Sequence, residues 1–204
     1  MKRNQMSFVS GVLASAGYLV FTLLAYGCYP SPYSPATNWL SDLGNPELNP
    51  GGAILYNIGI ILTSLLLVVF FLGLSVWKIE GNRAQVVMLR LTQVFGVLGS
   101  ICMLMSAVYP INHYTIHAFW STSLYVLLST AFIFSAAMLR YHPGVPRWLL
   151  FLGIATGLMV IMTSFLQTVY VLEWITVLLF LFYVTLLGFE TRRCKSIFIN
   201  TCAE

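Results

Sequence analysis

Residues 7–28 read SFVSGVLASAGYLVFTLLAYGC, a run without Lys, Arg, Asp or Glu. A helix that crosses the hydrocarbon of a bilayer needs about 20 apolar residues, so this stretch alone is long enough to span. Lys2 and Arg3 before it imitate the basic start of a signal peptide. The apolar run is long, however, and no convincing small-x-small cleavage site precedes a polar mature chain, so it reads as a retained helix. Five more apolar runs follow, at about Gly52–Trp77, Val86–Val108 (with Arg90 near its start), Ala118–Leu139, Trp148–Val169 and Leu172–Phe189 (with Glu173 near its start).

Composition agrees with that reading. The chain has 204 residues, of which 59% are hydrophobic and 8% charged. An ordinary soluble domain carries about 25% charged residues, so soluble and disordered classes are excluded. Six spans take about 120 residues and leave little room for a seventh. The alternative is four or five spans with one re-entrant segment. The expectation is an all-α polytopic bundle of six transmembrane helices forming one domain, 1–204, with an ordered extracytoplasmic loop at 29–51.

Charge placement orients the bundle. Lys2, Arg3, Lys78, Arg83, Arg90, Arg140, Arg147, Arg192, Arg193 and Lys195 all fall on one side of the six-span scheme or at helix ends beside it. The positive-inside rule makes that side cytoplasmic, with both termini on it, in a cell membrane. Arg90, just inside its span, reaches back to the headgroups. The formal net charge of +4 is therefore a topology signal. The basic residues form no stripe for nucleic acid.

The outer side holds the polar chemistry. Its long loop carries Pro30, Pro32, Pro35, Pro46 and Pro50, which fix turns and remove donors. Within it NWLSDLG, 38–44, reads as a short interfacial helix or turn, with Asn38 or Ser41 capping and Trp39 and Leu40 entering the interface. Asp42, if turned into the bundle, needs partners. His113 and His117 are four apart and share a face on a helical start to span four, which is half of a zinc site. Glu173 is a further oxygen ligand or a general base. Ser41 is a ligand-orienting hydroxyl or a nucleophile. Three readings stay open: a structural polar network, a binding or catalytic pocket, and a metal site.

Tyr56 and Asn57 lie inside span two near the same side, and Asn57 is expected to line any outer cavity. Gln93 and Gln167 read as interhelical bonds, and the Gly96/Gly99 and Gly153/Gly157 pairs as close helix contacts. Trp120, Ser121 and Tyr125 read as packing and interface positions. Of the four cysteines, Cys28 lies near the outer side, Cys102 mid-membrane, and Cys194 and Cys202 on the cytoplasmic side. There is no CxxC, P-loop, Rossmann glycine motif or GxSxG elbow.

NWLSDLGNPELNPGGAILYNIG resembles the signature of the bacterial and archaeal DUF998 family at Asn38, Ser41, Asp42, Leu43, Gly44, Pro50, Tyr56 and Asn57. Tyr109–Pro110 and His117 extend the resemblance, which covers most of the chain. The loop after span one is also distantly similar to that of the eukaryotic FRAG/DRAM membrane proteins. The chain departs from the pattern at Ile111, Asn112 and His113, where the family often has an acidic residue. The resemblance implies about six spans and no assigned reaction.

Three functions compete on these residues. The first is binding of a membrane lipid or small molecule in an outer-leaflet cavity lined by Asn38, Ser41, Asp42, Tyr56 and Asn57. The second is a lipid hydrolase drawing catalytic groups from Ser41, Asp42 and Glu173, with zinc held by His113, His117 and Asp42. The third, a transporter, lacks a midplane carboxylate and an evident inverted repeat. Oligomeric state is not legible.

Overall fold

The computed structural model describes residues 3–166 and 169–200 of the chain, with side chains described for 4–166 and 169–194. Lys2, Gln167 and Cys202, and the side chains of Arg3 and Lys195, lie outside those bounds. The described chain is all-α. It has six helices, α1 (Arg3–Gly27), α2 (Ala53–Gly73), α3 (Arg83–Val108), α4 (Tyr114–Leu139), α5 (Arg147–Phe165) and α6 (Tyr170–Asn200). All six are long and apolar enough to cross a membrane.

Helix ends follow local chemistry. Asn82 opens α3, its Oδ1 accepting from the Gln85 N–H at 3.1 Å, which satisfies one of the orphan donors of a first turn. Before it, Gly81 has φ +81°, a left-handed turn that suits a residue without Cβ. α3 stops at Val108, and Pro110 follows where a helical N–H would be required. Span four starts earlier than the sequence suggests. A 3-10 turn, Ile111–His113, leads straight into α4 at Tyr114, so His117 is helical and not in a loop. α5 ends at Phe165 rather than 169, and α6 continues past Phe189 to Asn200.

Each helix packs on its neighbours in sequence, and α6 returns to pack on α1. The result is a closed ring of antiparallel neighbours. With lipid outside as apolar as the core, such seams are held by shape and by hydrogen bonds between helices. Ser129 Oγ donates to the Gly157 carbonyl at 2.7 Å across α4 and α5. The Thr163 and Thr176 hydroxyls meet at 2.6 Å across α5 and α6, and those of Ser135 and Tyr183 at 2.6 Å across α4 and α6. The Gly153/Gly157 pair does not serve a single contact. Gly153 faces the Tyr183 ring on α6, whereas Gly157 faces Ser129 and Ile133 on α4.

Candidate functional site

One end of the ring is roofed by the chain between α1 and α2. Its centre is a 3-10 turn, Leu40–Gly44, here termed the roof turn. Leu40 and Leu43 are buried at 1% and 0% exposure, so the turn is pinned downward by apolar burial. The polar residues beside them hold its shape. Asp42 Oδ2 accepts from the Trp39 N–H at 2.9 Å, the short-range bond expected of an acid in a first turn. Tyr33 donates its hydroxyl to the Trp39 carbonyl at 2.6 Å. Asn38 Oδ1 accepts from the Ser34 N–H at 3.2 Å and the Thr37 hydroxyl at 2.9 Å. Burial raises the Asp42 carboxyl above its ordinary value, and the Trp39 N–H partly offsets this.

Three side chains tie the roof to three helices. Asn49, fully buried, donates to the Ala25 carbonyl at the end of α1 at 3.0 Å and to the Leu43 carbonyl at 2.9 Å. Asn57 on α2 donates to the Gly44 carbonyl at 2.9 Å. Glu173, in the first turn of α6, accepts from the Leu40 N–H through Oε2 at 2.7 Å. Backbone groups left open by a single 3-10 turn thus find partners on the bundle.

Beneath the roof lies a chamber of about 80 Å³, lined from all six helices. Its polar rim includes Ser41, Asn57, His117, Ser121 and Glu173, while Ile60, Met103, Leu128 and Phe180 form an apolar floor. Tyr18 and Tyr56 share a hydroxyl–hydroxyl bond of 3.1 Å at its wall. Tyr125 donates to Glu173 Oε1 at 3.4 Å. A vestibule of about 370 Å³ between α4, α5 and α6 adjoins the chamber and shares Ser41, Ile111, His117, Ser121, Tyr125 and Glu173 with it. No Lys or Arg is among the residues lining either space.

His117 is held through Nδ1. Its Nδ1 lies 3.0 Å from the Ser106 carbonyl and 2.9 Å from the Tyr109 carbonyl. Carbonyls only accept, so Nδ1 carries a proton and donates to them. These bonds also satisfy carbonyls freed where α3 ends.

The cavity gathers Ser41, Tyr56, Asn57, His117 and Glu173 from the sequence-level candidates. Asn38 and Asp42 do not line it; they shape the roof instead. His113 is exposed and precedes α4 with a non-helical φ of −94° and ψ of 56°, so the helical register that would stack it on His117 does not apply. Among the described residues, no group of three or more His, Cys, Asp or Glu side chains is placed to hold a metal ion.

Sequence reasoning missed Tyr18, Ser121, Tyr125 and the tie at Asn49. Ser121 and Tyr125 are lining residues, not merely packing ones. Their signal was the helical stripe His117–Ser121–Tyr125, each four residues from the last.

Six membrane-length helices closed into a ring, with a roofed polar chamber at one end, define a multi-pass membrane protein. A family model described as "Protein of unknown function (DUF998)" matches residues 12–190, and the chain belongs to that family. No curated protein and no solved structure matches it.

Proposed function

We propose that the chamber and vestibule bind the polar part of a membrane lipid, or a small molecule of similar size, at the outer leaflet. The observation that carries this reading is a chamber with a polar rim, lined from all six helices and closed by a roof tied to three of them. A cavity with apolar walls and a few convergent polar groups is the usual form of a ligand site. The chamber is too small for acyl chains. A lipid would insert its headgroup through the vestibule and leave its chains between α4, α5 and α6. Glu173 and the hydroxyls accept hydrogen bonds, and no Lys or Arg lines the space, so the fitting headgroup carries hydroxyls or an amine.

The hydrolase alternative would draw on Ser41, His117 and Glu173, which all line the cavity. No hydrogen bond joins Ser41 to His117 among the described residues, so a nucleophile–base pair has less support than a binding site. Mass spectrometry of lipids carried through purification tests the proposal. The expected result is a bound lipid or metabolite in the wild type that is strongly depleted in Ser121→Trp, which fills the vestibule, and in Glu173→Gln. Identical complements in all three proteins would remove the binding reading.

We also infer that the roofed end faces outward and both termini face the cytoplasm. Lys78, Arg83, Arg140, Arg147, Arg192 and Arg193 sit at the opposite end of the ring, as the positive-inside rule requires for a cell-membrane protein. In a Cys28→Ser background, Glu47→Cys in intact cells should react with a membrane-impermeant maleimide. Reaction only after permeabilisation would reverse the orientation.

A further inference from the structure

At the end of the ring away from the roof, a groove of about 700 Å³ runs between α2 and α3 beside the start of α1. We propose that this groove is a site for one anionic phospholipid, with its phosphate on Arg90 and an acyl chain along α3. The site is separate from the roofed cavity and does not depend on what that cavity binds.

Arg90 is the polar head of the groove. α3 has 26 residues, about 39 Å at 1.5 Å per residue, against a hydrocarbon core of about 30 Å. Arg90 begins the third turn, so its Cα lies just inside the hydrocarbon and its long stem brings the guanidinium to headgroup level. A cation at that depth needs an anion. Among the described residues Arg90 forms no ion pair with a carboxylate. The acids at this end are already engaged, Glu80 with Lys78 at 2.9 Å and Glu190 with Arg193 at 3.0 Å.

The guanidinium is also held in place. Gln93 is 6% exposed, and its Nε2 donates to the Phe71 and Leu72 carbonyls at 3.2 and 3.0 Å. These carbonyls lie where α2 tightens into the 3-10 turn Leu74–Trp77 and the regular ladder is interrupted. With its amide nitrogen so anchored, Gln93 turns Oε1 outward, and Arg90 Nη1 donates to it at 3.2 Å. One N–H of the guanidinium is thereby engaged, and Arg90 lines the groove with donors to spare. A planar fork of donors fixed in this way matches phosphate oxygens.

The rest of the groove has the matching polarity. Val94, Val97 and Leu98 continue from Arg90 along one face of α3, with Leu72 of α2 opposite. Spacings of four, seven and eight residues keep them on one stripe. Polar head toward the helix end and apolar stripe toward the midplane is the orientation of a lipid in the leaflet at the basic end.

The test uses the full chain reconstituted in mixed phosphatidylcholine and phosphatidylglycerol vesicles, re-extracted in mild detergent, with retained lipids counted by native mass spectrometry. Wild type is expected to retain phosphatidylglycerol in preference to phosphatidylcholine. Arg90→Gln should lower that retention roughly tenfold, the scale of one charge-assisted contact. Arg83→Gln, outside the groove, should leave it unchanged. Leu98→Trp fills the acyl stripe with Arg90 intact and should give the same loss, which keeps the test open if Arg90→Gln fails to fold. Wild-type retention in Leu98→Trp, or equal retention of both lipids by the wild type, would overturn the proposal. So would saturation of Arg90 by inorganic phosphate with no lipid preference, or a Val94→Cys disulfide dimer formed at the groove.

Discussion

Glu173→Leu should release the roof. The substitution keeps side-chain bulk but removes the acceptor of the Leu40 N–H, which is bonded at 2.7 Å, and of the Tyr125 hydroxyl. A buried donor left without a partner costs about 1–3 kcal/mol. That cost falls on the closed roof alone, because an open roof offers the same N–H to water. The open population should therefore rise roughly tenfold or more. Ser41→Cys in a Cys28→Ser background reports it, since Ser41 lines the chamber under the roof. Its maleimide labelling should accelerate in Glu173→Leu and stay close to the parent in Glu173→Gln, whose amide oxygen still accepts from Leu40. Equal rates in Leu and Gln variants would show that burial of Leu40 and Leu43 holds the roof without the α6 tie.

Gly52→Val should disrupt the same region more severely, by steric means. A Cβ at Gly52 would stand 2.6 Å from the Ala25 carbonyl oxygen and 2.5 Å from Asn49 Nδ2. The first is backbone at the end of α1. The second is the amide that bonds both Ala25 and Leu43. Neither can withdraw without breaking the junction between α1, the roof and α2. Overpacking of this kind typically costs about 1–3 kcal/mol, and more where backbone must move. The thermal midpoint of the purified protein should fall by several degrees. Gly17→Ala, where a Cβ meets nothing within 4 Å, should leave it in place. A Gly52→Val protein as stable as wild type would mean that α1 and α2 separate freely at this end.

Much of the molecule is legible from its sequence. An apolar run as long as 7–28 has only one way to satisfy its backbone in lipid, which is to become a helix. Six such runs and their short connections leave little freedom in count or order. The NWLSDLG stretch announced a compact turn, because an acid three residues after Trp39 can bond back to its N–H. Even His117 and Glu173 could be assigned to the same end as that turn, since alternate spans carry their ends to alternate sides.

Whether those residues meet is a different kind of fact. Apolar periodicity says little about which face of a membrane helix turns inward, because lipid and protein interior are equally apolar. Thus Tyr125 read as an interface aromatic until the ring of helices placed it against Glu173. His113 and His117 looked like a pair until the Ile111–His113 turn took His113 out of helical register. Asp42 bonds back to its own turn through Oδ2, a contact that the sequence does not distinguish from an inward one. Length and apolarity determine that the chain is a six-helix membrane protein, because each acts locally on one segment and the bilayer. The chamber under the roof was decided by tertiary structure alone. Its walls come from all six helices, and its closure depends on single hydrogen bonds between residues up to 133 positions apart.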